Sequence, residues 1–400
     1  MTVQGLEGQV RIRLHTGSDR IRSAEVEVDR PWDASRAFPG RSPAELLRLI
    51  PLAFGVCGTA QTRAALGALE DAAGCQPGAE HRAARDLAVG VETAREHLVR
   101  ILLGWPGPGA GPVRETKARR AHTLPEKVRA ALYPGGDFAC SGGGRLSPNL
   151  PALAEVRRDL GSLVEDAVLG APASDFLSLR DLADLEEWRT GADPETAAVQ
   201  GLDPVRDPRW AGWGASELRP LPELSPAALA GRLEGDRDGG FCALPEWDGE
   251  GYETTPLTRQ RRHPLVAAAL AESGSGLFAR RLARLVELAD VLAGWPHPEA
   301  DLAALGEDER REETLPPGTG LGRAEAARGR LYHWATVEGD RVTGYRILAP
   351  TEWNFHPSGP VARGLAGATL EPGADPREAA RILAEAVDPC VACRIEVADA

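Results

Sequence analysis

No part of this chain is apolar over the ~18 consecutive residues that a membrane span needs. Met1 to Arg13 contains no apolar core of the kind that opens a secretory leader. A membrane protein is therefore not expected, and a cytoplasmic location is. Basic charge is also in short supply: 46 Lys and Arg stand against 59 Asp and Glu, a net charge of -13. Nucleic acid is a poor partner for such a surface, because phosphate binding needs a basic face. A dense cysteine framework is missing too. Six cysteines in 400 residues do not staple a fold, and in a reducing compartment metal or redox chemistry is the more natural use for a thiol. Internal repeats and low-complexity tracts are absent.

What remains is a soluble globular composition, 42% hydrophobic and 26% charged, long enough to bury a large core. Val10, Ile12 and Leu14 alternate, then Ala24, Val26 and Val28, with Gly17-Ser18-Asp19 between, which predicts a β-hairpin. Ser42-Pro43-Ala44-Glu45 carries the signals of a helix start, and Leu46, Leu47, Leu49 and Ile50 follow on one face. A helix is expected from Thr59 to about Ala73, and a longer one from about Ala79 to Leu103. Another long helix is expected from about Pro264 to Leu292, and a second hairpin over Leu331–Val337 and Val342–Leu348. The last helix starts at Asp375-Pro376 and ends near Val387, before Asp388-Pro389-Cys390.

Cys390-Val391-Ala392-Cys393 is a CxxC. Two thiols so spaced in a turn or a first helical turn point the same way and can share one metal. Pro389 suits the first position of such a turn, and the amides after it favour thiolate. A lone CxxC is a weak signal, and on spacing alone unpaired or incidental thiols are the commoner reading. Cys57 lies between helices in Phe54-Gly55-Val56-Cys57-Gly58, where the glycines permit close backbone approach to a bound group. A small hydrophobe at a helix start is the plainer use. Cys75, Cys140 and Cys242 are isolated and read as ordinary thiols.

Taken together and in order, these fragments resemble the large subunit of nickel-iron hydrogenases. Leu6-Glu7-Gly8-Gln9-Val10-Arg11-Ile12 is similar to the family's I-E-G-H-L-R-I, and Gly40-Arg41-Ser42-Pro43 to its G-R-x-P. Phe54-Gly55-Val56-Cys57 stands where the family has C-G-x-C, and Glu96-His97 where it has an acid–His pair. Gly322 to Gly329 with His333-Trp334 resembles G-x-x-E-A-P-R-G…H-W. Ala349-Pro350-Thr351-Glu352-Trp353-Asn354 resembles A-P-T-x-W-N, and Asp388 to Cys393 resembles D-P-C-x-x-C. The match covers about 5–103 and 315–396, while 105–260 is a divergent middle. The resemblance implies a single domain over 1–400, mainly α (α+β), a large-subunit-like helical bundle with small peripheral β-hairpins.

In that family four cysteines hold nickel and iron, and the iron carries cyanide and carbon monoxide. The resemblance makes Cys57, Cys390 and Cys393 metal positions, with Phe54 replacing the fourth, a nickel-only ligand. Gln61 and Glu396 stand where the family has histidines, the second of them at a structural cation. The chain ends four residues past Glu396, so no terminal extension is expected to be cut. Arg328, Asp388 and Glu96 match residues around the metals, and Glu7 matches a proton-relay glutamate.

This pattern is most similar to the large-subunit-like accessory proteins of the HupK type. It implies a non-catalytic maturation scaffold for iron bearing cyanide and carbon monoxide, with Cys57 and Cys393 as iron ligands, Cys390 assisting, and nickel unlikely. The implied partners are HypC- and HypD-type maturation proteins and the catalytic large subunit. A divergent hydrogenase and a metal-free interaction protein are the rival readings.

Overall fold

The computed structural model describes residues 8–30, 34–105, 111–295 and 314–398. Its architecture is helical with two small sheets, as the sequence predicts. In the first sheet β1 (Gln9–Thr16) pairs antiparallel with β2 (Ile21–Asp29). Val10, Ile12 and Leu14 face the core and Arg11 and Arg13 face out, bonded to Glu27 and Glu25 across the hairpin. The second sheet is an antiparallel meander of β3 (Thr319–Ala326), β4 (Gly329–Glu338) and β5 (Arg341–Leu348). The last two strands are the expected second hairpin; β3 runs into the Gly322–Gly329 motif.

Three helices hold the N-terminal half of the site. In α1 (Pro43–Ala53) the Ser42 hydroxyl accepts from the Glu45 amide (3.3 Å), and the Glu45 carboxylate accepts from the Ser42 amide (2.8 Å). This reciprocal cap fixes the start of the helix. Pro51 lies in its last turn, and the chain turns through Phe54 into α2 (Gly58–Ala72). The 26-residue α3 (Ala79–Gly104) packs against α2.

α2 lies almost directly on β3. Gly320 and Gly322, two apart and so on one face of the strand, meet Ala64 and Ala68 of α2, and a Cβ at either glycine would overlap a helix carbonyl oxygen. This close approach sets Cys57, at the head of α2, beside the turn joining β3 to β4, which carries Arg328.

The expected long helix over Pro264–Leu292 is two helices, Pro264–Ser273 and Leu277–Ala293. Gly274 adopts φ +67°, outside the helical range, and Gly276 is pressed against the backbone of Ala211 and Gly212. The Ser275 hydroxyl bridges the Ser216 amide and carbonyl. The break lets Leu277–Ala293 pass through the main core, bringing Arg284 and Glu287 inward.

Gly322→Ala is expected to lower stability by about 2 kcal/mol, since helix and strand backbones must separate. Gly231→Ala, at an open position of the helix Pro226–Gly235, is expected to raise it by about 0.5–1 kcal/mol. Urea unfolding of both variants checks this. Equal midpoints would remove the close-approach argument.

Candidate functional site

The turns bearing Cys57 and Cys390 meet at one cavity of about 430 Å³. Its walls are Phe54–Cys57, Arg30 beyond the end of β2, Glu92 and Glu96 of α3, Arg328 and the stretch 349–352.

Cys57 precedes the first residue of α2, and its side chain makes no cap. The amides that a helix start leaves unpaired are taken instead by Glu92 of α3, whose carboxylate accepts from Thr59 (2.8 Å) and Ala60 (2.9 Å). Arg95, one turn on, donates to the Val56 carbonyl (2.7 Å). The Cys57 sulfur is therefore held in place without being used. It receives a hydrogen bond from Gln61 Nε2 (3.7 Å). Burial, and then the nearby Cys390 and Glu92, push its thiol up to about 12, so Cys57 is protonated at neutral pH and a metal must displace that proton. On Cys390 two donors converge, Thr351 Oγ1 (3.1 Å) and Arg30 Nη2 (3.4 Å). Glu352 pairs with Arg30 at 2.5 Å and, against the opposing effect of burial, strengthens its hold on its proton.

Arg328, 7% exposed, links the two halves of the site. It bonds Glu96 (2.6 Å) and Asp388 (3.4 Å). Arg95 pairs with Glu96 (2.8 Å), while Arg100 (2.5 Å) and Arg284 (3.6 Å) pair with Asp388. Burial alone would raise the Asp388 carboxyl, but Arg328, Arg100 and Arg284 hold it well below the usual range. Burial brings the Arg284 guanidinium down to about 10. Arg328 Nε is buried and has no hydrogen-bond partner among the described residues. An orphan donor beside two thiols fits a group that brings soft metal character and its own acceptor atoms.

The structure thus gathers Cys57, Cys390, Arg328, Glu96, Gln61 and the substituted Phe54 on the wall of one cavity, with Asp388 bonded to Arg328 behind it. It places Cys393 elsewhere. From Ala392 the chain is β6 (Ala392–Ala398), parallel to β1 with Cys393 opposite Val10. Extended backbone replaces the helical turn the CxxC spacing suggested, so the two thiols no longer share a direction, and Cys393 is exposed and off the cavity wall. The amides expected to favour thiolate serve the sheet instead. Among the described residues, no three His, Cys, Asp or Glu stand close enough to hold one ion.

Gln61 is a link where a histidine was expected from the family. Its Oε1 accepts from His333 Nε2 (2.7 Å), and His333 Nδ1 faces the Tyr345 hydroxyl (2.5 Å). Glu396 faces Arg13 (3.8 Å) and Arg394 (2.9 Å), so two arginines stand at the expected cation position. Glu7 lies outside the described residues. Sequence reading passed over Arg30, Glu92, Arg95, Thr351, Glu352 and Cys242, all of which line or brace the cavity. Glu92 and Arg95 had a legible signal, lying one turn and one residue before Glu96 on the same helix. Thr351 and Glu352 lie inside a motif already singled out.

Burial brings His333 down to about 3, from 6.5 for the free side chain, so the unfolded chain binds a proton there before the folded one does. The resulting stability is complete above pH 6.5 and is lost as the pH falls toward 3. Between pH 6.5 and pH 5 the expected loss from this group is roughly 2 kcal/mol. His333→Gln is expected to flatten that slope in urea titrations at the two pH values; an unchanged slope would clear His333 of the effect.

Comparison with known proteins agrees with this geometry. The profile of the nickel-dependent hydrogenase family matches residues 279–396. The hydrogenase expression/formation protein HupK of Azotobacter vinelandii is 32% identical, over 98% of each chain. The hydrogenase expression/formation protein HoxV of Cupriavidus necator is also 32% identical, over 94% of this chain and 93% of its own. In the reduced-state structure of the Ni-Fe-Se hydrogenase from Desulfovibrio vulgaris Hildenborough, the matching chain superposes with a TM-score of 0.61 at 17% identity, covering 94% of each. The fold is that of a hydrogenase large subunit, and the chain belongs to the family of hydrogenase expression/formation proteins that includes HupK and HoxV.

Proposed function

We propose that this protein serves hydrogenase maturation as a non-catalytic cytoplasmic scaffold, holding an iron unit with cyanide and carbon monoxide ligands for delivery to the catalytic large subunit. The maturation role follows from family membership. The arrangement around Arg328 carries the finer reading. Two thiols, Cys57 and Cys390, face a cavity of mixed charge in which acids outnumber guanidiniums, yet Arg30 donates to the Cys390 sulfur and Arg328, paired with Glu96, lies on the same wall. A cargo with outward-pointing acceptor atoms suits those guanidinium donors, and Arg328 Nε is one without a hydrogen-bond partner among the described residues.

Phe54 occupies the cavity wall where a nickel thiolate would stand. With Cys393 also off the wall, a four-thiolate nickel set is not available, while the iron retains two sulfurs. This revises the ligand pair implied by the resemblance: Cys390, not Cys393, partners Cys57. The expected partners are HypC- and HypD-type proteins, which supply the iron unit, and the large subunit, which receives it.

Protein purified without oxygen from a host that makes hydrogenase cofactors is expected to show cyanide and carbonyl infrared bands with about one iron and no stoichiometric nickel. Cys57→Ala and Cys390→Ala are expected to lose the bands, and Cys393→Ala to keep them. Bands lost in Cys393→Ala and kept in Cys390→Ala would restore the other pairing. Stoichiometric nickel would point to a divergent hydrogenase, and no metal at all to a metal-free interaction protein. Arg328→Lys is expected to shift the cyanide bands and weaken iron retention on the order of tenfold.

A further inference from the structure

Arg328 and Glu96 line not only the thiol cavity but a second one, of about 750 Å³, to which neither Cys57 nor Cys390 contributes. Its walls come from the C-terminal end of α3, from the helices Ala197–Arg206 and Leu277–Ala293, and from the last helix, Pro376–Val387. The proposed function makes no use of this space.

Ion pairs account for three of the four arginines on its wall. Arg381 is clasped by Glu378 (2.5 Å) and Glu385 of its own helix. Arg328 pairs with Glu96 (2.6 Å), and Arg100 with Asp388 (2.5 Å). Each carboxylate of the wall, Glu96, Glu378 and Glu385, is thereby engaged. The fourth arginine, Arg281, is only 7% exposed and has no carboxylate at ion-pairing distance among the described residues.

Arg281 is nevertheless firmly seated. Its Nη1 donates to the Gly201 carbonyl, and its guanidinium carbon stands 5.3 Å from the centre of the Trp105 ring. A Cβ at position 201 would overlap that ring, so only glycine lets Trp105, Gly201 and Arg281 pack together. Arg114 holds the Trp105 carbonyl (3.4 Å). Burial, and then Arg284 one turn on, bring the Arg281 guanidinium down to about 10, and Glu385 offsets this in part. A buried guanidinium ordinarily lies against a carboxylate, because its lost hydration is otherwise poorly replaced. Arg281 lies against a cavity instead, and the neighbouring wall is apolar: Val205, Trp210, Leu277 and Ile382.

We propose that this second cavity binds a small organic carboxylate, which pairs with Arg281 and lays its apolar body against Trp210, Leu277 and Ile382. One negative charge answers one unpaired guanidinium through a charge-assisted hydrogen bond. The apolar wall disfavours a bare inorganic anion, which would lose water there and gain no contact in return. The site is independent of the iron reading, since Arg281 does not line the thiol cavity.

The test is calorimetric titration of the full-length protein with phenylacetate and 4-methylpentanoate, beside phenylacetamide as a neutral counterpart and inorganic phosphate as an anion without an apolar body. A single site for one or both carboxylates is expected, with the amide and phosphate weaker on the order of tenfold. Arg281→Met is expected to weaken carboxylate binding about tenfold. Ile382→Trp, which fills the cavity from another helix and leaves Arg281 in place, is expected to weaken it as well, so the test stands even where Arg281→Met does not fold. Neither carboxylate binding at about 10 mM would overturn the proposal. The amide binding as tightly as phenylacetate would leave an apolar pocket without anion recognition, and phosphate binding as tightly would leave a simple counter-ion site; either overturns it. Affinity unchanged in the folded variants would place the carboxylate elsewhere and overturn it too.

Discussion

The buried guanidinium of Arg328 is the contact on which the site depends. It stands in a tight turn between two strands, and it joins Glu96 on a long helix to Asp388 at the end of the last helix. Residues 96, 328 and 388 share no local structure, so their meeting is a tertiary event. Ion pairs buried this deeply add little net stability, because desolvation opposes their attraction. Removing one partner is another matter, since it strands a charge in the interior. The network therefore acts as a registration device. Asp388 adopts φ +74° to enter it, and that left-handed residue turns the chain out of the helix and aims Cys390 at Cys57. Arg100 and Arg284 also pair with Asp388, so the device that aligns the thiols gathers three guanidiniums on one carboxylate.

The support beneath the N-terminal thiol follows a different logic. A helix start ordinarily takes its cap from the residue before it. Here that residue is Cys57, and capping is handed to Glu92 of the neighbouring helix. The sulfur stays free for a ligand, and the turn is braced through Arg95 as well. Phe54 completes the change. Where the family places a fourth sulfur, an aromatic ring packs toward Leu46, Leu47 and Ile50 and the cluster under α1. The substitution removes a ligand and strengthens the wall at once.

Much of the architecture was legible before any coordinates. The N-terminal hairpin, the Ser42 cap, the start of α3 and the last helix all carried strong local signals, and each lies within a residue or two of its expected bounds. Cys57, Arg328, Asp388 and Glu96 were legible because they sit inside contiguous motifs. The failures share a cause. The break at Gly274-Ser275-Gly276 depends on backbone crowding against Gly212, which apolar periodicity does not encode. The direction of Cys393 depends on strand pairing with β1, nearly the whole chain away. Cys242 looked isolated because another wall of the cavity it lines, at 349–352, is more than a hundred residues distant.

On the scaffold reading proposed above, protonation of Cys57 ties these points to the task of holding a cargo for transfer. Burial, with Cys390 and Glu92 nearby, raises the Cys57 thiol above its ordinary value, which weakens thiolate capture at neutral pH. In a permanent metal centre that penalty would be a defect, and a pair of strong donors to the sulfur would be expected. Among the described residues, the donor to it is Gln61, at 3.7 Å. Cys390 is the opposite case, with a threonine hydroxyl and a guanidinium both donating to its sulfur. Two unequal thiols suit a carrier better than two equal ones. The well-supported Cys390 can take hold first, and the reluctant Cys57 limits how tightly the unit is finally gripped.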